Sequence, residues 1–147
     1  MFVARNHKGL LCNALEEKIE KGADFVCPAC SGAVRFKKGK VMQPHFAHVS
    51  LEECSFYSEN ESAEHLNLKA ELFRWAVQTE EVEVEAFLPA LQQIADLLVD
   101  GKLALEVQCS PLSIERLQER KLSYRQHGYQ VLWLLGRKLW LKDSLTR

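Results

Sequence analysis

Between Gln92 and Ser110 the chain reads QQIADLLVDGKLALEVQCS, and this stretch limits the possible folds more than any other. Two short apolar runs, Ile94–Val99 and Leu103–Val107, flank Asp100-Gly101. Asp-Gly between two β-rich runs predicts a hairpin, because a tight two-residue turn needs left-handed backbone that these residues tolerate. Each arm carries one carboxylate among apolar neighbours, Asp96 in the first and Glu106 in the second. A charge inside an apolar strand is costly unless it is paired, hydrogen-bonded or bound to a metal. Asp96 lies four residues before Asp100 and Glu106 five after Gly101. Paired across the hairpin, the two sit at the same height, within reach of one divalent cation.

The remaining segments read as support for that pair. Met1–Arg5 predicts a short strand and Asn13–Lys21 at best a short helix. Ala23–Cys27 and Ala33–Lys37 are β-like runs around Pro28-Ala-Cys30-Ser-Gly32. Cys27-x-x-Cys30 on such a turn aims two thiolates at one ion, and Zn2+ bound by cysteine and histidine is the usual structural solution. The other two ligands come from His45, His48 and Cys54; the spacing favours His48 and Cys54, with His45 as the alternate. A redox pair would require a helix starting at the first cysteine, whereas a second β-run follows here. Few large apolar residues surround this segment, so a metal staple is expected. Cys12 and Cys109 read as ordinary thiols.

Ser62 predicts an N-cap for a helix over Ala63–Gln78 whose apolar face includes Leu66, Leu72 and Phe73. Glu64, His65 and Lys69 lie near its start, and Glu64 either faces the metal or merely complements the helix dipole. Val82–Leu88 alternates like a half-exposed strand, and Glu80, Glu81, Glu83 and Glu85 read as a solvated acidic face. A second helix is expected over Ser113–His127, with Arg116, Arg120 and Tyr124 along one side. Tyr129–Leu135 reads as a strand buried on both faces, followed by a turn and a short tail. The last strand follows a helical crossover and should therefore pair in parallel within a mixed sheet.

The length of 147 residues allows one ordinary domain, or a small domain with an appended module. No apolar run approaches a membrane span and nothing resembles a signal peptide, so a soluble, cytoplasmic protein without membrane partners is expected. Five cysteines suit a reducing compartment better than a disulfide framework. The net charge of −1 conceals segmentation. Residues 1–48 carry eight Lys/Arg against four acids, 111–147 eight against three, and 49–110 three against thirteen. Acidic groups that hold a cation, between basic flanks that meet phosphates, suit nucleic-acid chemistry.

Asp followed on the next strand by Glu-x-Gln is a layout of metal-dependent nucleases, and the order helix–strand–strand–strand–helix–strand resembles the PD-(D/E)XK (restriction-endonuclease-like) superfamily. More closely, the chain resembles the competence protein CoiA family. The residues that carry this are Cys27-Pro-Ala-Cys30, His45-Phe-Ala-His48, Cys54, Glu61-Ser-Ala-Glu-His65 with Lys69, Ile94-Ala-Asp96, Glu106-Val-Gln108 with Ser110, then Arg120, Tyr124 and Gly128. The resemblance implies an α/β fold with a zinc-binding module at 1–58 and a nuclease-like domain at 59–147. It also implies cytoplasmic action on incoming DNA during natural transformation, beside recombination proteins. In this reading Asp96, Glu106 and the carbonyl of Val107 hold Mg2+ or Mn2+. Gln108 occupies the position where much of the superfamily has a lysine, and Glu64, Arg120 and Tyr124 assist catalysis. Lys69, His65 and Arg116 meet DNA. A DNA-binding accessory that cuts weakly is the alternative, and a zinc protein that does not touch DNA is a third reading.

Overall fold

The computed structural model describes residues 1–20, 22–50, 54–56 and 61–140. Two sheets divide the chain. The first comprises β1 (Val3–Asn6), β2 (Leu11–Asn13), β3 (Phe25–Val26), β4 (Ala33–Lys37) and β5 (His45–His48), all antiparallel in the order β2-β1-β3-β4-β5. Phe25, Phe36 and Phe46 cluster on it, and Cys27 and Cys54 are buried in the same small core. The segment after Asn13 is a turn rather than the start of a helix. Glu16 and Glu17 donate their amides to the Asn13 carbonyl, and Asn13 Oδ1 takes the amide of Leu15. With only Leu15 and Ile19 as large apolar side chains, a helix there would have little to bury.

The second sheet contains β6 (Val82–Leu88), β7 (Gln93–Val99), β8 (Leu103–Gln108) and β9 (Gln130–Leu135), in that order. Asp100-Gly101 makes the predicted turn, with φ of 49° and 63°. β9 returns through helix α2 (Ile114–Gln126) and pairs in parallel with β8, so the sheet is mixed. Helix α1 (Ala63–Ala76) covers one face, packing Leu66, Ala70 and Phe73 against Val84, Leu97 and Leu105. Tyr124 of α2 packs on the other face with Ala86, Ala95, Leu98 and Ala104. Ser62 and Ser113 cap the two helices, each accepting an amide three residues on.

β9 is an edge strand, contrary to the reading of Tyr129–Leu135 as buried on both faces. Leu132 and Leu135 are exposed, and β8 is the strand covered on both sides, with Ala104 through Val107 all buried. An uninterrupted apolar run does not distinguish a central strand from an edge strand. The two sheets also share residues. Phe2 and Val3, at the start of the first sheet, belong to the core beneath α1.

Candidate metal and catalytic sites

In the first sheet, the turn between β3 and β4 brings its cysteines together through its backbone. The Cys27 amide donates to Gly32 O and the Ser31 amide to Cys27 O. Ser31 adopts φ of 60°. The Gly32 amide points at Cys30 Sγ, 3.3 Å away, and a Cβ at Gly32 would meet that sulfur at 3.2 Å. Ligand atoms of Cys27, Cys30, His48 and Cys54 all lie within 4.8 Å of one another. Cys30 Sγ and His48 Nε2 are 3.5 Å apart, which matches the edge of roughly 3.5 Å that a tetrahedral zinc imposes between a sulfur and a nitrogen ligand. The set is therefore compatible with structural zinc. His45 lies outside it and turns Nδ1 to Gln43 O at 2.8 Å, so His48 is the histidine that the fold brings to the cysteines. Burial pushes the Cys27 thiol up to about 12; a bound cation would reverse that by favouring the thiolate.

In the second sheet, Asp96 sits where β7 and β8 part. The pairing of these strands runs from Val99↔Leu103 to Leu97↔Leu105 and stops there. Beyond it, Asp96 Oδ2 accepts the Val107 amide at 2.8 Å. From α1, His65 Nε2 lies 3.2 Å from Asp96 Oδ2 and Lys69 Nζ 3.5 Å from Oδ1. Glu61, His65 and Asp96 offer three ligand atoms within 4.8 Å of one another. The His65–Asp96 spacing is close to the edge of about 3 Å expected around an octahedral Mg2+ or Mn2+. Two fixed cations already meet this cluster. Lys69 bonds Glu61 and Glu85, and the Met1 ammonium bonds Glu61. Burial works to raise the Asp96 and Glu61 carboxyls, but Lys69 with its neighbours outweighs it and holds both below the usual carboxylate range. Burial likewise disfavours the Lys69 ammonium, but the three carboxylates raise it well above the ordinary lysine value.

Glu106 meets the site from the other layer. Its Oε1 accepts from Arg120 at 2.9 Å and from the Tyr124 hydroxyl in a short hydrogen bond. Burial, and next the charge of Asp96, push the Glu106 carboxyl up to about 7. Burial and Glu106 together raise the Tyr124 phenol. The i, i+4 spacing of Arg120 and Tyr124 thus serves one carboxylate, and the Arg120 guanidinium stacks over Trp133 at 5.0 Å. Glu106 is not part of the Glu61–His65–Asp96 cluster, but Asp96 is near enough to perturb it.

Other expected residues take different places. Lys69, expected as a DNA contact, has 0% exposure and three carboxylate partners, so it is an internal cation. Glu64 Oε1 accepts the Arg137 amide at 2.9 Å, beside the end of β9. Gln108 turns its amide to Ser110 O at 2.6 Å. Val107 brings its amide N–H to Asp96. Arg116 is exposed on the first turn of α2. Glu80, Glu81 and Glu83 are exposed, but Glu85 is buried and bonds the Phe2 and Val3 amides at 2.7 and 3.0 Å. Sequence reasoning assigns no place in the site to Glu85, which bonds Lys69, or to Glu61, which joins His65 and Asp96. Alternation alone gave no sign that one glutamate of four would turn inward.

Residues 61–146 match the family model described as competence protein CoiA, nuclease-like domain, and residues 11–57 match that of the competence protein CoiA N-terminal domain. The competence protein CoiA of Bacillus subtilis (strain 168) is 32% identical over 130 residues, which is 86% of this chain and 35% of that protein. This chain therefore spans about a third of the length of that relative. No solved structure matches. The chain belongs to the competence protein CoiA family, and carries both its N-terminal domain and its nuclease-like domain.

Proposed function

We propose that this chain is a metal-dependent deoxyribonuclease, built on a restriction-endonuclease-like core, that processes incoming DNA in the cytoplasm during natural transformation. The observation that supports the reading is the Glu61–His65–Asp96 cluster beside Lys69 at the parting of β7 and β8, with Glu106, held by Arg120 and Tyr124, near enough for the charge of Asp96 to act on it. Asp96 and Glu106 would hold Mg2+ or Mn2+, joined by the Val107 carbonyl or by Glu61, since hard oxygen donors suit these ions, and His65 would add an imidazole nitrogen. The ion's contribution is to lower the pKa of a bound water and to offset charge on the phosphate.

The chain's own groups supply the rest. Lys69 places a permanent positive charge beside Asp96, a charge that Gln108 cannot provide. Tyr124 and Arg120 fix the Glu106 carboxylate, and the partly exposed Arg120 guanidinium can meet a phosphate oxygen as charge develops. Arg116 extends this basic side of α2 towards the DNA backbone. Recombination proteins are the partners that belong with this reading.

One observation favours a second reading, a DNA-binding recombination accessory that cuts weakly or not at all. Lys69 and the Met1 ammonium already neutralise Glu61, which weakens the pull on a divalent ion. Labelled single-stranded, linear duplex and branched DNA, offered to the purified chain with and without Mg2+ or Mn2+, separates the two. Metal-dependent cleavage that Asp96→Asn abolishes supports the nuclease. DNA binding without cleavage on every substrate favours the accessory.

A further inference from the structure

Glu85 stands at a fault in the sheet. β6 pairs with β7 from Val82↔Val99 to Leu88↔Gln93 without a slip, yet the Glu85–Asp96 pair is missing from the ladder. On one side of the gap Val84 and Leu97 enter the core beneath α1; on the other, Ala86 and Ala95 enter the core beneath α2. Residues two apart on a strand normally share a face, so both strands turn over at this point. Glu85 makes the turn with φ of 53°. A non-glycine residue in that region is strained and persists only where its surroundings hold it. What holds it is its carboxylate, 2% exposed, which accepts Phe2 N, Val3 N and Lys69 Nζ at 2.7, 3.0 and 2.8 Å.

Those two amides begin the strand that pairs with β3, and β3 leads directly into Cys27. Met1 also exchanges backbone bonds with Phe46 of β5, two residues before His48. The cysteine–histidine cluster and the Asp96 site are thus joined through a short chain of bonds: first sheet, Phe2 and Val3 amides, Glu85, Lys69, Asp96.

We propose that Glu85 is a positioning residue that holds the Lys69 ammonium against Asp96 and takes its own place from the first strand. An ordered cysteine-bearing module is then a condition for the cation at the candidate site. The inference rests on Asp96 being the metal-holding carboxylate of the proposed nuclease, but its bonding chain can be tested without cleavage.

The test is reductive methylation of the full zinc-loaded chain with formaldehyde and cyanoborohydride, read at each lysine by peptide mass. Lys69 in the wild type should resist modification. In Glu85→Gln it should react at least tenfold faster while the other lysines keep their rates. Glu85→Gly, whose backbone accepts the positive φ without strain, is the second variant should Glu85→Gln fail to fold. Stripping the metal from the wild-type cysteines should also speed Lys69 labelling at least tenfold, and this arm decides if neither variant folds. Where the wild type cleaves DNA, Glu85→Gln should lower kcat at least tenfold with KM for DNA unchanged. Lys69 labelling unchanged in the folded variants, or unchanged in the stripped chain, overturns the proposal. So does a fall in kcat matched by a rise in KM and a general loss of melting temperature. Absence of cleavage by the wild type overturns the nuclease reading, and the labelling result still decides the role of Glu85.

Discussion

Glu106 and Asp96 respond to the same enclosure in opposite ways, because their partners differ. Asp96 faces Lys69, so its charged form is favoured despite burial. Glu106 faces Asp96 as well as Arg120, and burial leaves its carboxyl raised to about 7. A carboxyl raised in the folded state contributes stability below its ordinary value that is lost as pH rises through about 7. Asp96 and Glu61, held low, contribute stability at neutral pH that is lost as pH falls below the usual carboxylate range, through their lowered folded-state values. Glu106→Gln, which keeps the shape and an acceptor oxygen, should therefore stabilise the chain at pH 8. The gain should be on the order of 2–3 kcal/mol and should fade towards pH 5. Thermal melts of both proteins across that range check it, and an equal effect at pH 5 and pH 8 would contradict the assigned environment of Glu106.

At the scale of elements, the cysteine module and the helices were legible for different reasons. Cys27-x-x-Cys30 with a β-run on each side predicts a turn that presents two thiolates together, and the structure forms that turn with a ligand set compatible with zinc; Ser62 and Ser113 announce helix starts through local chemistry. The Asp-Gly hairpin and the parallel return of β9 followed from turn type and crossover length. Whether β9 lies at the centre or the edge was not legible, since Gln130–Leu135 is equally apolar in either position. Nor was the inward turn of Glu85, which depends on Phe2 and Val3, more than eighty residues away in sequence. Around Asp96, the two carboxylates and the basic candidates Lys69, His65 and Arg120 were legible, but not the pairing of Lys69 with Glu61 and Glu85, because ion pairs between distant segments leave no periodic trace. The module itself invites a direct experiment. With so small a core, removal of zinc should lower the melting temperature by roughly 5–10 °C or more, and Cys30→Ser should reproduce the effect. A chain that melts identically with and without chelator would show that the cysteines need no metal.

Along the sequence, basic flanks border an acidic centre, and in the structure Lys69 and the amino terminus partly neutralise its carboxylates. That distribution suits a polyanion held at the rim and a cation held inside. DNA affinity should fall steeply with salt, and Arg116→Ala should reduce the slope of log K against log salt by about 1 while leaving the fold intact. Competition titrations at several salt concentrations measure that slope; one unaffected by the substitution would move the DNA path away from α2. No helix among the described residues is long and apolar enough to cross a membrane. The central claim, that Asp96 anchors a divalent ion beside Glu106, is met most directly by counting bound Mn2+ by electron paramagnetic resonance in the zinc-loaded chain. The account predicts a Mn2+ site that is lost in Asp96→Asn and weakened in Glu106→Gln. Binding that is absent from the wild type, or unchanged in Asp96→Asn, would contradict it.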